Sequence, residues 1–144
     1  MTGEVLRVWL IEGSSEETLF LADVRSMLEA IARRVGCNFS SSQSIFASDD
    51  PPLEFRTQVQ GHVPGELLRE VGVHRAQRIP RASTTGRIET VLVGVEILPP
   101  DRASTAGQPN ERVLKTYNYI ERWVLCHESG EKLSLDAVLG DKAC

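Results

Sequence analysis

Apolar and polar positions along this chain follow two periods, and the places where the period changes mark its elements. Val5, Leu6, Val8, Trp9, Leu10 and Ile11 form a short apolar run rich in β-forming residues, which predicts a buried strand over 4–12. Leu19, Phe20, Val24, Met27, Leu28, Ile31 and Val35 then recur at three- and four-residue spacing and are followed by Gly36. That pattern predicts an amphipathic helix about 16–20 residues long whose apolar face is core. Ser14, three residues before Glu17, reads as a capping box, and Glu16 and Glu17 fall where the helix dipole favours negative charge.

Weaker strands are predicted over 37–46 and 53–60, separated by the turn-forming Asp49-Asp50-Pro51-Pro52. Leu53, Phe55, Thr57 and Val59 alternate with polar residues, as a half-buried antiparallel strand requires. Pro64 starts a short helix over Gly65–Glu70 that Gly72 ends. Two long strands, 73–79 and 87–98, frame a loop; Pro99 and Pro100 stop the second. Beyond a Gly/Pro/Ser/Thr-rich stretch reaching about residue 112 come strands over 113–119 and 122–127 and a short helix near 134–139.

Composition narrows the class. With 144 residues, 41% hydrophobic and 25% charged, the chain can fill one compact core and reads as an ordinary globular protein. It shows no charged-then-apolar leader and no apolar run long enough to span a bilayer, so secretion and membrane insertion are not expected. Cys37, Cys126 and Cys144 are odd in number and lack metal-like spacing, which predicts reduced thiols, the first two buried as small apolar side chains. No Gly-x-x-x-x-Gly-Lys, His-Glu-x-x-His or Gly-x-Ser-x-Gly is present, and neighbouring Cys126 and His127 would face opposite sides of a strand. Catalytic residues, metal ligands and cofactors are therefore all expected to be none. His74 and His127 are expected to be structural.

Charge singles out one segment. The chain is formally at −4, yet residues 71–88 contain Arg75, Arg78, Arg81 and Arg87 and no Asp or Glu. An arginine run is ordinarily a solvated face, but concentrated on one loop of an acidic protein it also suits an anionic partner. Here Gly72-Val73-His74-Arg75-Ala76-Gln77-Arg78-Ile79-Pro80, followed by Gly86-Arg87-Ile88-Glu89-Thr90, resembles the signature of bacterial and organellar class-I peptide chain release factors. Upstream the resemblance runs through Gly61, Leu67 and Glu70. It resumes at Lys115-Thr116-Tyr117-Asn118-Tyr119, Val124, His127 and Leu135-Asp136-Ala137-Val138-Leu139.

The resemblance implies an α+β fold: a mixed or antiparallel sheet packed against one long helix, the codon-recognition superdomain of that family, with a small C-terminal β/α extension packed on it. It divides the chain into a central domain, 1–100, a linker, 101–112, and a C-terminal segment, 113–144. It also implies that the family's N-terminal helical domain and its Gly-Gly-Gln catalytic domain are missing, only ten residues lying between Pro100 and Glu111. Ala106-Gly107-Gln108 is ordinary linker composition. The segment Glu12 to Thr18 keeps one glycine of the family's three and is rich in glutamate, so it reads as structural.

By the same resemblance, the RNA- and codon-contact residues are Arg75, Gln77, Arg78, Pro80, Arg81, Ala82, Arg87, Glu89, Thr90, Tyr117 and Asn118. Gln77 and Thr90 match positions that help read the third base. Pro80-Arg81-Ala82 stands where the family has Pro-x-Thr, and Glu89 where it has a base-stacking His. A lost hydrogen bond and a lost stack at roughly 1–3 kcal/mol each remove on the order of 30-fold to 10⁴-fold in discrimination, which argues against standard stop-codon reading. The expected function is a ribosome-binding protein that occupies the A site of the small subunit, touching mRNA and rRNA without releasing peptide, in the cytoplasm or an organellar matrix. The alternatives are an RNA-binding protein for a particular transcript, or the decoding half of a split factor partnered by a separate Gly-Gly-Gln protein; no membrane partner is expected.

Overall fold

The structure, a computed structural model, describes residues 4–13, 18–46, 52–79, 86–99 and 112–140. The elements are β1 (Val5–Glu12), α1 (Thr18–Arg34), β2 (Phe39–Phe46), β3 (Pro52–Val59), α2 (Gly65–Leu68), β4 (Gly72–Arg78), β5 (Glu89–Leu98), β6 (Val113–Asn118), β7 (Trp123–Cys126), β8 (Lys132–Ser134) and α3 (Leu135–Leu139). The strands form one sheet in the order β2-β3-β1-β5-β4-β6-β7-β8. Its neighbours are antiparallel except β4 and β6, which run parallel. A parallel neighbour needs a return connection, so β6 starts at the end of the sheet where β4 starts.

The α1 helix covers one face. Phe20, Leu21, Val24, Met27, Leu28 and Ile31 interlock with Leu6, Val8, Phe55, Ala76, Val91, Val93 and Val95, all buried. Each such side chain contributes about 1.5–3 kcal/mol when removed from water. Gly36, at φ 74°, ends the helix: its N–H donates to the Arg33 carbonyl and the Cys37 N–H to the Ala32 carbonyl. This double closure is the glycine C-cap that the sequence predicts. Leu135 and Val138 of α3 close the core beyond β7.

The apolar face of α1 is rotated slightly from its sequence reading. Leu19 is 53% exposed, whereas Leu21 is sealed, because the buried stripe follows Phe20 and Leu21 into Val24. The predicted cap at Ser14 to Glu17 and the predicted turn at Asp49 to Pro51 lie outside the described residues. Strand β8 was not expected; among the described residues its three residues pair only with β7, and they carry too little pattern to read. The expectation of reduced thiols is corrected: Cys37 is free but Cys126 is disulfide-bonded. An odd count without metal spacing excludes a cluster, and says nothing against a single bridge. No helix among the described residues is long and apolar enough to cross a membrane.

Among the described residues no helix covers the opposite face. There Arg7 donates to Glu54 at 3.1 Å and to Glu96 at 3.0 Å, and its guanidinium stacks 3.8 Å from the Trp9 ring centre. Burial pushes the Glu54 carboxyl up, but the hydrogen bonds and charges of Arg7 and Arg56 outweigh it and hold Glu54 below the usual range. Gly94 is obligatory beneath Trp9: a Cβ there would sit 2.5 Å from the indole.

Candidate nucleic-acid interface

The basic segment is the β4–β5 hairpin. Its register sets Arg75 opposite Leu92, Gln77 opposite Thr90 and Arg78 opposite Glu89. Side chains alternate along a strand, so Arg75 and Gln77 stand on the helix-free face while His74 and Ala76 point beneath α1. Gln77 and Thr90 are therefore cross-strand neighbours on one face at the open end of the hairpin, with Thr90 exposed. Arg87 is exposed and Glu89 half-buried; Ile79 and Ile88 leave 42% and 57% of their surface in solvent. Pro80, Arg81 and Ala82 lie outside the described residues.

Arg75 is tied down by a hydroxyl. Its Nε and Nη2 donate to Thr116 Oγ1 at 3.2 and 2.9 Å, because the parallel pairing sets Thr116 directly beside it. Thr116 Oγ1 also lies 2.6 Å from His127 Nε2. Partial burial, then the Arg75 charge, hold the His127 imidazole below its ordinary range. Arg78 is turned to the other face, its guanidinium 5.7 Å from the Tyr119 ring centre. Tyr119 in turn donates to Asp23 of α1 at 2.7 Å; burial, then the Asp23 charge, push its hydroxyl far up.

Two expected contact residues are corrected. Tyr117 is fully buried under α1, edge-on to Phe20 at 5.1 Å, with its hydroxyl 2.8 Å from His74 Nδ1 and 3.5 Å from Met27 Sδ. A side chain with no exposed surface cannot touch RNA. Asn118 is 7% exposed, and its Oδ1 accepts the Ile120 and Glu121 N–H groups at 2.9 and 2.7 Å, so it closes the β6–β7 turn.

His74 is structural, as expected. Its Nε2 lies 2.9 Å from the Glu70 carbonyl, which can only accept, so Nε2 carries the proton and Nδ1 receives the Tyr117 hydroxyl. Burial drives its pKa down and keeps it neutral. Beside it Lys115 Nζ donates to both Glu70 oxygens at 2.7 and 2.9 Å, a buried pair that sequence reading left unassigned. A cleft of about 330 Å³ opens over this pair between Leu68, Arg112, Leu114 and Cys126, at the end of β4 away from the basic loop. Cys126 is buried while His127 is exposed, so the two do face apart.

No family model matches the chain. Peptide chain release factor 1 of Chlorobaculum tepidum is 39% identical over 89 residues, 60% of this chain and 25% of that protein. The Hydrogenobaculum sp. protein of the same name is 30% identical over 115 residues, 78% of this chain and 32% of its own length. The mitochondrial peptide chain release factor 1 of Arabidopsis thaliana is 33% identical over 96 residues, covering 66% and 23%. The chain thus spans about a quarter to a third of the curated relatives it matches. RF2 of Thermus thermophilus superposes with a TM-score of 0.76 at 16% identity over 98% of this chain and 65% of that one, a likeness of fold.

Proposed function

The chain is a relative of the peptide chain release factors, and from that premise we propose that it binds the decoding centre of the ribosome, on its small subunit, without hydrolysing peptidyl-tRNA. The observation that carries the reading is the open end of the β4–β5 hairpin. Gln77 and Thr90 meet there on one face beside a segment, 71–88, that holds four arginines and no acid. Charge of that density positions a protein on RNA, while the paired polar side chains stand where a base edge can be met. Contacts are assigned to Gln77, Arg81, Arg87 and Thr90, and to Pro80 and Ala82 beside Arg81 in the sequence; Glu89 opposes phosphate and replaces a stacking ring.

In this reading residues 1–100 and 113–144 act as one ribosome-facing unit and 101–112 joins them, in the cytoplasm or an organelle. The sequence holds Ala106-Gly107-Gln108 and no Gly-Gly-Gln, which supports the absence of hydrolysis by this chain alone. Co-sedimentation with 70S ribosomes and 30S subunits at low salt tests binding. The chain is expected in both fractions, and Arg81→Glu with Arg87→Glu to lose at least ~10-fold in affinity, as two phosphate contacts imply. Absence of the unaltered chain from both fractions overturns the reading. Salt-sensitive binding to free RNA without ribosomes would favour a transcript-binding role, and recovery of a separate Gly-Gly-Gln protein a split factor. Stop-dependent peptide release by the chain alone would refute the non-hydrolytic part.

A further inference from the structure

We infer that Arg75, Thr116 and His127 form an anion seat on the helix-free face, shaped for a phosphodiester of the RNA backbone; its occupant rests on the ribosome-binding reading above. The direction of the hydrogen bonds carries the inference. Arg75 can only donate, so Thr116 Oγ1 accepts from its Nε and Nη2 and turns its own proton to His127 Nε2. With Nε2 accepting, the neutral imidazole carries its proton on Nδ1. His127 is exposed, so its Nδ1–H adds a donor to the same face as the guanidinium. Nη1 and one proton of Nη2 remain to Arg75, so the chain of bonds ends in donors and leaves no acceptor pointing out.

Two arginines of this face make the contrast. Arg7 is neutralised by Glu54 and Glu96, whereas half-buried Arg75 has a hydroxyl as its partner and no carboxylate among the described residues. An arginine held in place by a neutral group keeps its full charge for an incoming anion, and its planar fork matches a phosphate. The seat lies one pleat from Gln77, toward the start of β4, and shares the face of Gln77 and Thr90. A backbone whose bases reach the open end of the hairpin can therefore run across it.

The test compares the unaltered chain with Arg75→Gln, Thr116→Val and His127→Ala, each checked for folding by circular dichroism; His127 is exposed, so its variant reports even if the others unfold. Binding to 30S subunits is measured against salt, and the His127 imidazole is followed by NMR on adding inorganic phosphate. Expected are a loss of ~10-fold in affinity and a salt slope shallower by about 0.7–0.9 for Arg75→Gln. His127→Ala and Thr116→Val should lose less. A phosphate-dependent Nδ1 shift should appear in the unaltered chain and vanish in Arg75→Gln. If the unaltered chain binds 30S particles but all variants keep its slope, the seat is wrong and the ribosome reading survives. If phosphate shifts Nδ1 but the unaltered chain binds neither 30S particles nor RNA, the RNA assignment falls with that reading and free phosphate is the ligand. No shift at all overturns the seat.

Discussion

Strand β4 begins in one kind of environment and ends in another. At its start, Glu70, His74, Lys115 and Tyr117 are sealed together, every charged or polar head meeting a partner within the molecule. At its end, Gln77 and Thr90 face outward and Arg87 is exposed. The sequence around both ends is equally polar. The difference teaches that similar polar side chains become internal structure where the sheet and helix close over them and stay open to solvent where they do not.

The largest expected break comes at the closed end. Lys115→Met strands the Glu70 carboxylate in the interior, which costs about 3–5 kcal/mol and lowers Tm by roughly 6–20 °C in a thermal melt. Acid probes the same end more gently. His74 has a folded pKa depressed below its ordinary 6.5, so the unfolded chain takes up the proton first. Stability is therefore full above that value and is lost as pH falls below it, at up to ~1.4 kcal/mol per pH unit. Melts between pH 7.5 and 5.5 should show this slope, and His74→Asn should flatten it.

Smaller effects follow toward the open end. Asn118→Ala removes an acceptor from two turn N–H groups and should cost about 1 kcal/mol by denaturant titration while leaving ribosome affinity unchanged. Arg87→Glu should shift stability by less than ~0.5 kcal/mol yet weaken binding to 30S particles. A variant at the open end that melts early without losing affinity would erase the contrast between the two ends.

Legibility tracks how local each interaction is. That β4 and β5 pair as neighbours could be read beforehand, but the register that brings Gln77 and Thr90 to one face could not, since a slip of one residue turns every side chain of a strand over. The misreading of Tyr117 and Asn118 came from taking residues of a matching motif as one group. They sit on opposite faces of β6, one under α1 and the other closing a turn. Thr116 was missed because nothing near it in the chain signals a guanidinium 41 residues away.

What the sequence by itself determined is the periodic skeleton: the helix with its glycine stop, most strands, and a basic segment in an acidic chain. These depend on contacts within a few residues, where spacing and turn chemistry act directly. Only the tertiary structure decided that β6 lies parallel beside β4, and with it the partner of Arg75, the sealing of Glu70 with Lys115, and which face α1 leaves bare. Pairing between distant strands is settled by which apolar faces can be buried together across the whole sheet, a collective outcome that no single stretch encodes.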